Sequence, residues 1–133
     1  MSLQPVPIQN VPGVPDYTCT AFLPKSSDYC LLIPVINEGS RILTELGRAQ
    51  KAGVDRLVDI VICDGGSTDG SMNPDTLELY GVNTLLVKTG PGKQGAQLRM
   101  GLHFALTFGY KGVLTIDGNN KDLSLIHISE PTR

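Results

Sequence analysis

Four uninterrupted apolar runs set the fold of this chain more tightly than any other feature. They are Tyr29–Val35, with Cys30-Leu31-Leu32-Ile33 at its centre, then Leu57–Cys63, Val82–Val87 and Val113–Ile116. Continuous rather than alternating hydrophobicity marks strands buried on both faces, as in a parallel sheet. Helical patterns fill the gaps. Asn37 can cap a helix over Glu38–Ala52, where Ile42, Leu46 and Ala49 form one stripe and Gly53 supplies the stop. Asn73 and Pro74 suit the N-cap and first position of a short helix ending near Gly81. A longer helix is expected over Gly95–Phe108, striped by Leu98, Leu102 and Ala105 and closed by Gly109.

Strands and helices that alternate in this way make βαβ units with right-handed crossovers. The expected fold class is therefore α/β, a Rossmann-like parallel sheet with helices on both faces. Ligands of such sheets bind outside the carboxyl ends of the strands. Pro34-Val35-Ile36-Asn37-Glu38 closes the first run, and Asp64 with a Gly/Ser loop follows the second. Gly90-Pro91-Gly92-Lys93 follows the third and Asp117-Gly118-Asn119 the fourth, so the topology gathers every chemically promising cluster on one edge.

With 133 residues the chain has length for one domain. A net charge of −2 gives no electrostatic footprint for nucleic acid, and seven Phe and Tyr with no Trp make a poor base-stacking platform. No apolar run nears the roughly 20 residues of a membrane span, and no secretory signal pattern opens the chain. Three scattered cysteines (Cys19, Cys30, Cys63) lack metal spacing and suit a reducing compartment, the cytoplasm or the cytoplasmic face of a membrane.

The chain divides into three segments. Residues 1–28 hold five of the nine prolines and read as an extended, loosely packed or disordered leader, with room for a short strand around Tyr17–Phe22. Residues 29–122 hold 14 of the 15 glycines and read as the globular part. Residues 123–133 resemble a translated sequencing adapter and are expected to be a non-native tail. On that reading the parent protein continues beyond Asp122. A sheet ending at its fourth strand would then leave its edges open and be marginally stable.

The motifs each admit two readings. Asp64-Gly65-Gly66-Ser67-Thr68-Asp69-Gly70 offers a carboxylate to a nucleobase or ribose, or else Asp64, Ser67 and Asp69 only cap a turn. Gly90-x-Gly92-x-x-Gly95 matches the dinucleotide fingerprint, with Asp117 about 20 residues on, but it falls in the third unit rather than the first. Lys93 and Arg99 can balance phosphate charge, or Arg99 is a solvated helix position. Asp117 and Asn119 present oxygens suited to Mg²⁺ or Mn²⁺, or merely form a turn. His103, one turn from Arg99, reads as a helix-surface histidine.

Taken in order, Ile33-Pro34-Val35-Ile36-Asn37-Glu38, Asp64-Gly65-Gly66-Ser67-Thr68-Asp69-Gly70-Ser71, Gly92-Lys93-Gln94-Gly95-Ala96 and Asp117-Gly118-Asn119 resemble the motifs of family 2 glycosyltransferases, in particular the dolichyl- or polyprenyl-phosphate mannosyltransferase branch. The likeness spans nearly all of residues 29–122. It implies a GT-A fold, of which this chain holds the N-terminal nucleotide-binding half. It implies that Pro34, Asn37 and Glu38 line the nucleotide pocket, that Asp64 contacts the base, and that Ser67 lies beside it. Lys93 and Arg99 match the family's basic positions. Asp117 matches the first acid of the Asp-x-Asp motif, which holds a divalent cation and the diphosphate. Asn119 stands where the family has its second acid, which implies weaker metal binding unless Asp122 compensates.

The implied reaction is transfer of a sugar from a nucleoside-diphosphate sugar to an acceptor such as a polyprenyl phosphate, with a membrane or lipid surface reached through sequence beyond this chain. The family's base and acceptor site lie downstream, so no turnover is expected of these 133 residues. Two other classes stand beside this reading. One is an NAD-dependent oxidoreductase, resting on the glycine fingerprint. The other is a non-catalytic nucleotide-binding module.

Overall fold

A computed structural model describes residues 4–92, 94–116 and 123–127 of the chain. Its elements run β1 (Val6–Ile8), β2 (Tyr17–Ala21), β3 (Tyr29–Val35), α1 (Arg41–Lys51), α2 (Val54–Leu57), β4 (Asp59–Asp64), α3 (Pro74–Leu79), β5 (Val82–Lys88), α4 (Gln94–Thr107), β6 (Gly112–Ile116) and β7 (Leu123–His127). The four apolar runs are β3, β4, β5 and β6. Among the described residues they sit in one seven-stranded sheet of order β1-β2-β5-β4-β3-β6-β7.

The central four strands are parallel, as expected. The sheet as a whole is mixed, because β2 pairs antiparallel with β5 and β7 pairs antiparallel with β6. Both edges of the parallel centre are thus covered. Leu123–His127, within the adapter-like tail, supplies one of these flanking strands. The leader supplies the other. It is extended as expected but not loosely packed, for Tyr17 and Cys19 are core residues. Outermost lies β1, whose Pro7 has no N–H to offer a further strand.

Period-two geometry sorts each strand's side chains between two cores. Leu31, Ile33, Ile60, Ile62 and Leu85 pack with Ile42 and Leu46 of α1 and Leu77 of α3. Cys30, Leu32, Val61, Cys63 and Leu86 pack with Met100, Phe104 and Ala105 of α4. Helices therefore cover both faces. The stripe on α1 is the expected one. On α4 Ala105 of the expected stripe is buried, but with Ala96, Met100 and Phe104 rather than with Leu98 and Leu102, both of which are only partly buried.

Local signals mostly act as the sequence implies. Asn73 Oδ1 accepts from the N–H groups of Asp75 and Thr76, with Pro74 at the first helical position, a cap worth about 1 kcal/mol. Two boundaries differ. The stretch before β4 forms the single turn α2, so that strand starts at Asp59 rather than Leu57. Helix α1 starts at Arg41, not Glu38, because Asn37 and Gly39 adopt left-handed backbone (φ 48° and 61°), which a right-handed helix excludes. Asn37 is therefore not a helix cap. No described helix is long and apolar enough to cross a membrane.

Candidate functional site

Numbered from β3, the parallel strands lie in the order third, second, first, fourth. The order reverses between β3 and β6, and an open α/β sheet binds ligands beside the carboxyl ends at such a reversal. At the end of β3 the chain leaves through Ile36-Asn37-Glu38-Gly39. Beside it, at the end of β4, it leaves through Asp64-Gly65-Gly66-Ser67.

These two exits are laced together. Asp64 is 2% exposed. Its carboxylate accepts from the Ser67 hydroxyl at 2.6 Å and from the Ser67 N–H at 3.0 and 3.2 Å. Ser67 Oγ in turn accepts from the Asn37 N–H at 2.9 Å, and Asn37 Oδ1 accepts from the Thr68 N–H at 2.8 Å. Asp69 Oδ2 accepts from the Gly39 N–H at 3.0 Å, while its other oxygen takes the N–H and hydroxyl of Ser71. The Ser71 bonds, before any other cause, hold the exposed Asp69 carboxyl below its usual range. The left-handed backbone at Asn37 turns its amide and its side chain toward the second loop together.

The network fixes what the loops can offer. The N–H groups of Asn37, Gly39, Ser67, Thr68 and Ser71 are all used internally. A carboxylate has about four lone-pair sites, and Ser67 supplies both donors that reach Asp64. Asp64 thus keeps lone pairs that Ser67 does not use, on a side chain that is almost wholly covered.

The other expected residues are distributed as follows. Pro34 is half-buried beside Cys63 in the β3–β4 register. Glu38 stands at the loop edge and pairs with Arg41. Arg99 is not turned toward this cluster: its Nε donates to the Gly13 carbonyl of the leader at 3.0 Å. Lys93, Asp117 and Asn119 lie outside the described residues, as does Asp122. Among the described residues, no three or more His, Cys, Asp and Glu gather as metal ligands.

The glycine fingerprint has a structural reason of its own. A Cβ at Gly90 would stand 2.9 Å from the Asp16 amide nitrogen, and the Thr89 and Gly90 N–H groups both donate to the Asp16 carbonyl. Gly90 thus lets the leader approach. His103 is likewise occupied, its Nδ1 lying 2.7 Å from the Tyr17 hydroxyl.

Gln97 escapes a reading of the sequence. It is 4% exposed on the sheet-facing side of α4, and its Nε2 donates to the Val35 and Cys63 carbonyls, both at 2.9 Å. A polar residue beside Ala96 and four residues before the apolar turn at Gly101 is the signal, visible once the buried face of α4 is known. No protein-family model, curated protein or solved structure matches this chain.

Proposed function

We propose that this chain carries the donor-nucleotide site of a glycosyltransferase of the family 2, GT-A type, one that transfers a sugar from a nucleoside-diphosphate sugar to an acceptor such as a polyprenyl phosphate. One observation carries the reading: Asp64, Ser67, Asn37 and Thr68 form a continuous hydrogen-bond network across the ends of β3 and β4, beside the reversal of strand order. The resemblance to that family, drawn from sequence, falls on these same residues.

Chemistry narrows the ligand further. An acceptor carboxylate with its loop amides already used favours a base with an imide N–H, as in uracil or guanine. In this reading Asp64 accepts from the base, and Asn37 and Ser67 hold Asp64 in place. Glu38 and Pro34 border the pocket. Lys93 and Arg99 would face the diphosphate, Arg99 after release from Gly13. Asp117 and Asn119 would hold Mg²⁺ or Mn²⁺, which supplies electrophilic stabilisation of the leaving diphosphate. The proposed location is the cytoplasm or the cytoplasmic face of a membrane.

Calorimetry with UDP- and GDP-sugars in the presence of Mn²⁺ tests the proposal. Asp64→Ala and Asp117→Ala are each expected to weaken binding at least about tenfold, the equivalent of one charge-assisted hydrogen bond. Unchanged binding in both variants would sink the assignment, and tighter binding of NAD than of UDP or GDP would favour an oxidoreductase.

A further inference from the structure

The two loops of the site are laced to each other beyond the ends of their strands. They leave from neighbouring strand ends, where the ladder between β3 and β4 runs out. Gln97 spans that place. The Val35 carbonyl accepts from Gln97 Nε2 and also from the Gly65 N–H at 2.8 Å. The Cys63 carbonyl accepts the second Gln97 N–H. Gly65 lies flat against the side-chain amide, since a Cβ there would be 3.0–3.1 Å from Gln97 Cδ, Nε2 and Oε1. Packing alone does not call for an amide at this position, because Met or Leu has similar volume. What the amide adds is two donors in a fixed plane.

We propose that Gln97 is a positioning residue: it sets the loop that carries Asp64 against the first turn of α4, and so fixes the place of the base-contacting carboxylate in a nucleotide site. The spacing of the loop follows from the hydrogen bonds above. The nature of the ligand rests on the nucleotide reading. A loop free to drift would hold the Asp64 carboxylate in the binding position only part of the time.

Two variants of the full chain test this. Gln97→Met keeps the volume and loses both donors. Gln97→Glu keeps the shape and regains one O–H donor when its carboxyl is protonated, which burial favours. The first readout needs no ligand. In amide hydrogen exchange, Gly65 and Ser67 are expected to speed up about tenfold more than Val61 and Ile62 in both variants at neutral pH. Equal acceleration of loop and strand would make Gln97 a general packing residue and overturn the proposal.

The second readout is the Kd for UDP and GDP. The Gln97→Glu chain is expected to bind about tenfold more weakly than wild type at pH ~8, with the ratio closing as pH falls to ~5. A ratio that does not change with pH would overturn the positioning role, because a steric effect has no proton to gain. If the wild-type chain binds neither nucleotide, the assigned ligand is overturned, and the exchange ratio alone decides whether Gln97 positions the loop.

Discussion

Strand β4 begins and ends on an aspartate, and Asp59 and Asp64 are equally buried, each 2% exposed. Their partners differ. Asp59 accepts from the Ser26 hydroxyl and N–H (2.6 and 2.9 Å), the Ser27 N–H (3.4 Å) and the Tyr110 hydroxyl (2.7 Å). Those donors come from the leader and from the turn after α4. Asp64 draws its donors from Ser67, three residues away. The same side chain at two ends of one strand thus does two jobs: one ties distant segments, the other shapes a local loop. Burial alone does not tell these two carboxylates apart. The reach of the hydrogen bonds does.

That contrast is open to test, and the largest effect belongs to Asp59. Asp59→Ala leaves the Tyr110 hydroxyl and the Ser26 N–H without their acceptor, and is expected to lower the urea unfolding free energy by about 3 kcal/mol. Asp64→Ala should cost about 1 kcal/mol by the same measurement, since its donors lie in a half-exposed loop. Equal losses would break the comparison.

A smaller effect belongs to alkaline pH. Burial, and next the Asp59 carboxylate, push the Tyr110 hydroxyl well above its ordinary 10.0. The same two causes push the Cys30 thiol from 9.0 to about 12, and burial takes Cys19 to about 11. The unfolded chain ionises these groups at their ordinary values, so above pH 9 it holds fewer protons than the folded one. Stability is therefore expected to be full below that pH and to fall as pH rises through the folded-state values. Tyr110→Phe should cost about 1 kcal/mol at neutral pH and flatten the part of the decline above pH ~10. Urea titrations across pH, on both proteins, check this, and an unaltered slope would contradict the Asp59–Tyr110 link.

The smallest effect on stability is expected at the other end of the strand. Asn37 is exposed, and Asn37→Ala removes one loop hydrogen bond at a cost of about 0.5–1 kcal/mol. Its effect on nucleotide affinity should exceed that cost. A variant that loses stability but no affinity would move Asn37 to the structural side.

The sequence makes the four central strands, the cap at Asn73 and the edge that gathers Asp64, Ser67 and Asn37 legible, because all depend on local pattern and on the rule that parallel strands end together. Of the leader strands, β2 falls where a short strand around Tyr17–Phe22 is expected, while its place in the sheet is not legible. Tyr17–Ala21 is five residues long between prolines, and only its pairing with β5, far along the chain, decides that it is a sheet strand. Asn37 has the residue type of a helix cap, and its left-handed backbone is set by the second loop, which accepts and donates to it. Gln97 is hidden because the buried face of α4 is offset from the leucine row, so a buried amide looks in sequence like a solvated one. The position of Arg99 follows from the leader's path, which no local signal carries.

The antiparallel pairing of β2 with β5 also orders events in time. Tyr17 and its partner Lys88 are about seventy residues apart, separated by two helical crossovers that form from nearer contacts. The closure entropy of so long a loop places that rung late. Until β5 is in place, the leader has no strand to join, and Asp16 has no Gly90 to meet. Folding of this chain should therefore add the β2 strand after the parallel centre has formed.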